Sequence, residues 1–108
     1  MNKLTIIGNL TGDPELRTTT TGKEVCNFTV AVDKRTSDGA DFFKVSAWGE
    51  RGVMCSRYLS KGKKVCVIGP VSARAYTNNR NEAAATLEVT ADEVEFISPK
   101  DGNDHLPD

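Results

Sequence analysis

The stretch DFFKVSAWGE, residues 41–50, decides the architecture of this chain. Its β-branched and aromatic residues are typical of a strand, in which successive side chains point to opposite faces. The odd-numbered positions Phe43, Val45 and Ala47 form an ordinary core face. The even-numbered face mixes two aromatic rings with two polar groups: Phe42, Lys44, Ser46 and Trp48. This second face has to be explained by something other than the core.

The length of 108 residues predicts one domain. An apolar run of about 18 residues would indicate a membrane span, and the sequence has none. The opening MNKLTIIGNL also lacks the long apolar region and cleavage site of a signal peptide. We therefore expect a cytoplasmic protein without membrane contact.

The three cysteines, Cys26, Cys55 and Cys66, are odd in number and form no C-x-x-C pair. With His105 as the one histidine, neither a disulfide framework nor a metal site is indicated. Each cysteine lies in an apolar segment and is expected to be a small buried side chain. Catalytic groupings and phosphate-binding glycine motifs are also missing, so the sequence predicts a protein that is not an enzyme and needs no cofactor.

The charge is unevenly distributed along the chain. Residues 1–80 hold 13 Lys and Arg against 7 Asp and Glu, a balance of +6, whereas residues 81–108 hold 1 against 8, a balance of −7. This asymmetry favours a body that binds a polyanion, followed by an acidic end. Scattered surface charge is the alternative.

Alternating or apolar segments separated by turn residues predict five strands: 3–10, 24–34, 41–49, 63–76 and 85–96. The fourth is broken by Gly69-Pro70, since a proline inside a strand requires an edge or a bulge. Residues 50–62 change period: pairs four residues apart, such as Cys55 and Leu59, predict a helix with Gly62 at its C-terminal cap. We expect Tyr58 to pack on the apolar face of this helix.

The order of three strands, a helix and two strands is that of the OB-fold, an all-β five-stranded Greek-key barrel with its helix between strands three and four. Proteins of this fold bind oligonucleotides on the face of strands two and three and on adjoining loops. Periodicity alone leaves a β-sandwich as an alternative.

Several motifs together resemble the bacterial single-stranded DNA-binding proteins. They are MNKLTIIGNLTGDPELR, NFTVAVDK, DFFKVSAWG, YLSKGKKVCVIG and TLEVTADEVEFI. They follow in the family's order and extend over residues 1–97, which predicts an OB-fold domain there and a short acidic tail at 98–108.

The resemblance implies an OB-fold homotetramer in the cytoplasm, associated with the nucleoid. Such a protein binds single-stranded DNA without sequence preference and protects it in replication, recombination and repair. The family's aromatic positions fall on Phe42, Trp48 and Tyr76. Its basic contacts fall on four residues: Lys3, Lys44, Lys61 and Arg74. Loop cations complete the predicted DNA-binding set: Lys34, Arg35 and Arg80.

This family provides a reason for the mixed face of residues 41–50. Every base has a flat π-face, so an exposed ring can stack on any base for roughly 1–3 kcal/mol, while nearby cations meet the phosphates. The alternatives are structural. Phe42 and Trp48 could lie in the core, and Tyr76 could cap the end of the barrel. Lys61 could be a solvent-exposed cation at the end of the helix, where positive charge suits the helix dipole. Phe28 shares a strand face with Val30 and Val32 and is predicted to be core.

Two departures from the family concern a loop and the tail. The loop DKRTSDGAD has no aromatic ring, and Asp108 stands where the family has a terminal Phe that recruits replication and repair enzymes. We expect residues 98–108 to be disordered, dispensable for DNA binding and poor at recruiting these partners. Another function class stays open, an OB-fold accessory subunit of replication restart that mainly binds proteins.

The homotetramer has weaker support from the residues themselves. The segment KLTIIGNL is rich in β-formers, and an unpaired strand edge invites pairing with a second chain. Phe43 is bulky for a barrel position, and we expect it at that interface.

Overall fold

The computed structural model describes residues 1–97. The described residues form eight strands and one helix. In chain order these are β1 Leu4–Leu10, β2 Glu15–Thr18, β3 Glu24–Asp33, β4 Ala40–Trp48, α1 Gly49–Tyr58, β5 Lys64–Gly69, β6 Val71–Thr77, β7 Ala83–Thr90 and β8 Glu93–Phe96. The expectations for residues 98–108, their disorder and their part in recruiting partners, lie outside the described residues.

The five predicted strands are all present, but two of them are bent into pairs. The predicted fourth strand is β5 followed by β6, with the break at Gly69-Pro70 as predicted. The bend brings two backbones so close that a Cβ at Gly69 would overlap the Thr90 carbonyl oxygen. The predicted fifth strand bends at the same level into β7 and β8, and Thr90 N–H donates to Pro70 O at 3.1 Å. The short β2 is an addition that pairs with β3.

The strand pairings close into a ring, which confirms the OB-fold. β3 pairs antiparallel with β1 and β4, and β4 pairs parallel with β7. The two bent strands, called here the β5–β6 arm and the β7–β8 arm, pair antiparallel with each other through β5 with β8 and β6 with β7. β5 then pairs antiparallel with β1. Because one sheet contains every strand, the two-sheet sandwich is wrong.

The core lies inside this ring and follows the alternation of the strands. Val30 from β3, Val45 from β4 and Val67 from β5 are fully buried, and Phe28 is 5% exposed. The prediction of Phe28 as core is therefore confirmed. All three cysteines are buried as expected.

The helix α1 packs against β3 and β4 and ends earlier than predicted. It ends at Tyr58, because Leu59 turns to extended backbone and buries its side chain at 6% exposure. Gly62 is consequently no helix cap. It lies at a φ of +88° in the turn before β5, where its N–H donates to Leu10 O at 2.9 Å. Tyr58 does pack, with its ring centroid 5.9 Å from that of Phe96, but it stays half exposed.

β1 is not the free terminal strand that the sequence suggested. It pairs with β5 from Leu4 to Asn9, while its ladder with β3 is confined to Asn9 and Leu10. Within the part of the chain that the structure describes, the edge of residues 4–8 that faces away from β5 thus has no ladder partner. Phe43 is half-buried and packs against the barrel core.

Candidate nucleic-acid interface

The mixed face of β4 lies on the outside of the barrel. Phe42 is 58% exposed and Trp48 is 44% exposed, whereas Val45 and Ala47 between them are buried. Strand alternation produces this separation, because β4 packs only its odd-numbered residues inward. The core alternative is therefore wrong for both rings.

Lys44 and Arg74 come together in one groove of about 460 Å³ on the outside of β3, β4, β6 and β7. The β1–β2 turn closes one side of it. The groove is lined mostly by polar residues: Thr11, Gly12, Asp13, Glu15, Asn27, Phe28, Thr29, Lys44, Val45, Ser46, Arg74 and Glu88. Two cations more than 25 residues apart in sequence thus meet over a hydrogen-bonding surface, an arrangement that suits a phosphate chain.

A hydrogen bond between β3 and β4 fixes part of the groove floor. Asn27 lies directly opposite Ser46 in the ladder, and Ser46 Oγ donates to Asn27 Oδ1 at 2.9 Å. Thr29 lies opposite Lys44 in the same register. The Ser on this face therefore orients a neighbouring amide, which explains its presence beside a Lys and a Trp.

A carboxylate accompanies the two cations in the groove. Glu88 on β7 is the ladder partner of Lys44 across the parallel β4–β7 pair. Its Oε2 also lies 3.3 Å from Nε of Arg74 on β6. The Arg74 side chain is 70% exposed and that of Glu88 is 38% exposed, so the anion lies deeper than its partner.

Tyr76 and Arg80 lie on the hairpin of β6 and β7. Tyr76 is 47% exposed and faces Ala84 across the ladder. Its neighbours on β6 from Ser72 onward are also exposed, so Tyr76 does not cap the barrel core. The turn is held by Asn78, whose Oδ1 accepts from the N–H groups of Arg80 and Glu82 at 2.9 and 3.0 Å.

The other four predicted cations do not line the groove, and one of them, Lys61, lies next to its wall. Lys61 is tied to the groove wall, since its N–H donates to Asp13 Oδ1 at 2.9 Å. Lys34 Nζ donates to Asp41 Oδ1 at 2.6 Å, beside Phe42. Lys3 is exposed and follows Asn2, which bonds to the backbone of β6 at Val71 through its Nδ2 and Oδ1. Arg35 is exposed in the loop before β4.

Trp48 lies apart from the groove, at the junction of β4 and α1. It lines a separate hollow with Arg51, Met54 and Phe96, and with two further residues, Glu50 and Val94. The structure thus brings Lys44 and Arg74 together but leaves Trp48 at a distance from them. The three predicted rings do not form one cluster.

Sequence reasoning missed several polar groove residues, among them Asn27, Thr29 and Glu88. Asn27 and Thr29 were visible as the polar face of the second predicted strand, and a ladder register would have placed them opposite Ser46 and Lys44. Glu88 depends on the parallel pairing of β4 with β7. That long-range contact has no local sequence signal.

The buried cysteines supply no nucleophile to this surface. Burial raises the pKa of the Cys55 thiol to about 12, with a further contribution from Cys26. Burial also raises the pKa of Cys26 and Cys66. A thiol of raised pKa is protonated and unreactive near neutral pH. Within residues 1–97 there is also no group of three His, Cys, Asp or Glu that could hold a metal ion, and no helix long and apolar enough to span a membrane.

Comparison with known proteins identifies the family. The profile described as "Single-strand binding protein family" matches residues 1–97. The chain belongs to this family. Among the curated single-strand binding relatives, the "Single-stranded DNA-binding protein" of Staphylococcus aureus strain MRSA252 is 35% identical over 113 residues, covering 100% of this chain and 72% of its own.

Two clostridial members of the single-strand binding protein family have a higher sequence identity to this chain than the Staphylococcus aureus protein has. The "Single-stranded DNA-binding protein 2" of Clostridium acetobutylicum is 41% identical over 95% of this chain and 82% of its own. The "Single-stranded DNA-binding protein" of Clostridium tetani is 42% identical over 90% of this chain and 70% of its own.

Proposed function

We propose that this protein binds single-stranded DNA without sequence preference and without catalysis. The observation that carries the proposal is the outer face of β4, where Phe42, Lys44 and Trp48 are exposed while Val45 and Ala47 on the opposite face are buried in the core. Rings bind bases by stacking and cations bind the phosphates between them. Membership of the single-strand binding family supports the same function.

The strand follows the outer surface of the barrel in this proposal. Its phosphates contact Lys44 and Arg74 in the groove, and its bases stack on Phe42 and on Tyr76 of the hairpin. Lys34, Arg35 and Arg80 meet the strand from the loops, Lys61 from the groove border, and Lys3 from the start of the chain before β1. Trp48 binds a base at the far end of β4.

Membership of the family supports a biological setting for this function. A protein that coats unwound strands by stacking and charge protects DNA during replication, recombination and repair. It works in the cytoplasm, in association with the nucleoid.

We further propose a homotetramer as the working form. The edge of β1 over residues 4–8, which faces away from β5, supports it, since exposed ladder groups on a strand edge favour pairing with a second chain. The exposed Ile7, at 53%, adds apolar surface to the outside of this strand.

A role as a protein-binding accessory subunit is less well supported. It would require the face of Phe42, Lys44 and Tyr76 to be covered by a partner. In the single chain this face is open and contains cations, and cations at a protein interface core are generally depleted. Arg is the exception to that depletion, and the experiment below separates the two functions.

Fluorescence anisotropy with a labelled oligo-dT and a duplex of equal length tests the proposal. We expect tight binding of the single strand and weak binding of the duplex, whose bases are already stacked. The logarithm of the observed binding constant should fall linearly with the logarithm of the salt concentration. The slope should be about −0.7 for each phosphate that the protein neutralises on a single strand. Equal affinity for both DNAs, or a slope near zero, would refute the proposed function.

A further inference from the structure

Three carboxylates line the groove, those of Asp13, Glu15 and Glu88. Of these, Glu88 pairs with a cation that itself lines the groove and is predicted to bind DNA. It pairs with Arg74 at 3.3 Å and neighbours Lys44 in the ladder. We propose that Glu88 limits the affinity of the protein for single-stranded DNA by competing with phosphate for Arg74. This inference rests on the proposed DNA-binding groove and adds a residue that acts against binding.

The geometry lets Glu88 and an incoming phosphate compete for the same Arg74 guanidinium. Arg74 lies directly opposite Thr86, and Glu88 is two residues along β7 on the same face. The Arg74 side chain is exposed enough to reach solvent on one side while its Nε contacts Glu88 on the other. A phosphate entering the groove therefore meets a guanidinium that a carboxylate already partly neutralises.

Two opposing effects of Glu88 have to be compared. The pair orients Arg74 toward the groove, which favours binding, but an exposed ion pair is worth only about 0.2–1 kcal/mol. Against this, the charge of Glu88 repels each phosphate that approaches Lys44 or Arg74. Because Glu88 is the more buried partner, its charge is less screened by solvent than that of a surface carboxylate. Removing the charge of Glu88 should therefore favour binding more than losing the oriented pair disfavours it.

The pair between Lys34 and Asp41 differs from this arrangement. Its two side chains are 44% and 53% exposed, and it joins the residue after β3 to Asp41 on β4, outside the groove. A lysine there can leave its carboxylate by rotation into solvent. Glu88 lines the groove itself and its side chain is the less exposed of its pair, at 38%, so its charge stays beside the path of the phosphates.

The test is the affinity and salt slope of the Glu88→Gln variant with oligo-dT, measured by anisotropy. Gln keeps the shape of the side chain but removes the charge. We expect affinity to rise roughly two- to fivefold at low salt, a factor that corresponds to an exposed ion pair. The slope should become steeper by about 0.7, as for one more phosphate neutralised on a single strand. An unchanged slope, or weaker binding, would overturn the inference.

The matched control is Glu95→Gln on β8. It makes the same change in net charge at an exposed position opposite Cys66, outside the groove. Its affinity and slope should stay close to those of the unaltered protein. An equal gain in Glu95→Gln would show that net charge, and not competition for Arg74, sets the affinity.

The double variant Arg74→Met with Glu88→Gln separates this inference from the proposed function. If Glu88 acts through Arg74, the gain from Glu88→Gln should shrink to less than half in the Arg74→Met background, and an undiminished gain would contradict the inference. If the unaltered protein does not bind oligo-dT, the proposed function itself fails. If it binds, and Arg74→Met weakens binding while Glu88→Gln changes nothing, only the role of Glu88 fails.

Discussion

Phe28 and Phe42 show how one residue type acquires two roles in adjacent strands. Phe28 is 5% exposed inside the barrel, and Phe42 is 58% exposed outside it. Alternation in β3 and β4 predicted Phe28 as core and put Phe42 on a mixed face, and the family resemblance then favoured Phe42 as an exposed ring. Alternation did not predict that Asn27 would orient toward Ser46, because a hydrogen bond between strands depends on register.

Phe42→Ala should weaken binding of oligo-dT by about 1–3 kcal/mol, the scale of one base stack. The melting temperature should change little, since the ring lies outside the core. The measurement is a binding titration paired with a thermal melt of the same sample. Loss of folding in this variant would show that the ring supports the barrel.

Phe28→Ala is the control for Phe42→Ala. It removes a buried ring and leaves a cavity, which typically costs about 3–5 kcal/mol of unfolding free energy. Denaturant unfolding should show this loss, and the folded fraction should still bind oligo-dT. A stable Phe28→Ala protein with impaired DNA binding would reverse the assignment of the two faces.

At the scale of elements, the two bent arms give the barrel its shape. The sequence predicted the break in the first arm from Gly69-Pro70, because a proline lacks the N–H that a ladder needs. The break in the second arm, at Ala91 and Asp92, had no such signal. It follows from pairing with the first arm, through bonds such as Asp92 N–H to Ile68 O at 2.8 Å. The predicted end of the helix was four residues too late. Leu59 leaves the helix to bury its side chain in the core, so the chain turns before it reaches Gly62.

Gly69→Ala should destabilise the fold severely, because its Cβ would overlap the Thr90 carbonyl oxygen and the backbone would have to move. Gly12→Ala is the matched control, since a Cβ there meets nothing within 4 Å. Thermal melts of the two variants should differ widely, with Gly12→Ala near the unaltered protein. Equal melting temperatures would show that the arms tolerate a wider separation at the bend.

At the scale of the whole molecule, the buried thiols link stability to pH. Cys55 has a pKa near 12 when folded, against an ordinary value of 9.0. The folded state therefore keeps the proton when the unfolded state loses it. The stabilisation is fully present below about pH 9 and is lost as the pH rises from there toward 12.

Cys55→Ala should reduce this alkaline loss of stability. Melting temperatures recorded from pH 7 to pH 11 should fall less steeply for the variant than for the unaltered protein. Cys26 and Cys66, whose pKa values are also raised, keep some of the dependence in both. Parallel curves for the two proteins would mean that another group governs alkaline unfolding.

The assembly also belongs to this scale. Light scattering at micromolar concentration should give the mass of four chains if the free edge of β1 and its outer surface support the homotetramer. A monomer under these conditions would contradict that proposal. The sequence could not decide the assembly. It indicated a terminal strand with an unpaired edge, but which edge of β1 is unpaired depends on its long-range pairing with β5.

Stacking on the outer face of β4 is how this protein holds single-stranded DNA in the proposed function. Trp48 is the one tryptophan in the chain, so its fluorescence reports on that face directly. Titration with oligo-dT should quench its emission with a saturable curve, and a duplex of equal length should quench it weakly. Unchanged emission at saturating oligo-dT, with binding confirmed by anisotropy, would contradict the placement of DNA on the Trp48 end of this face.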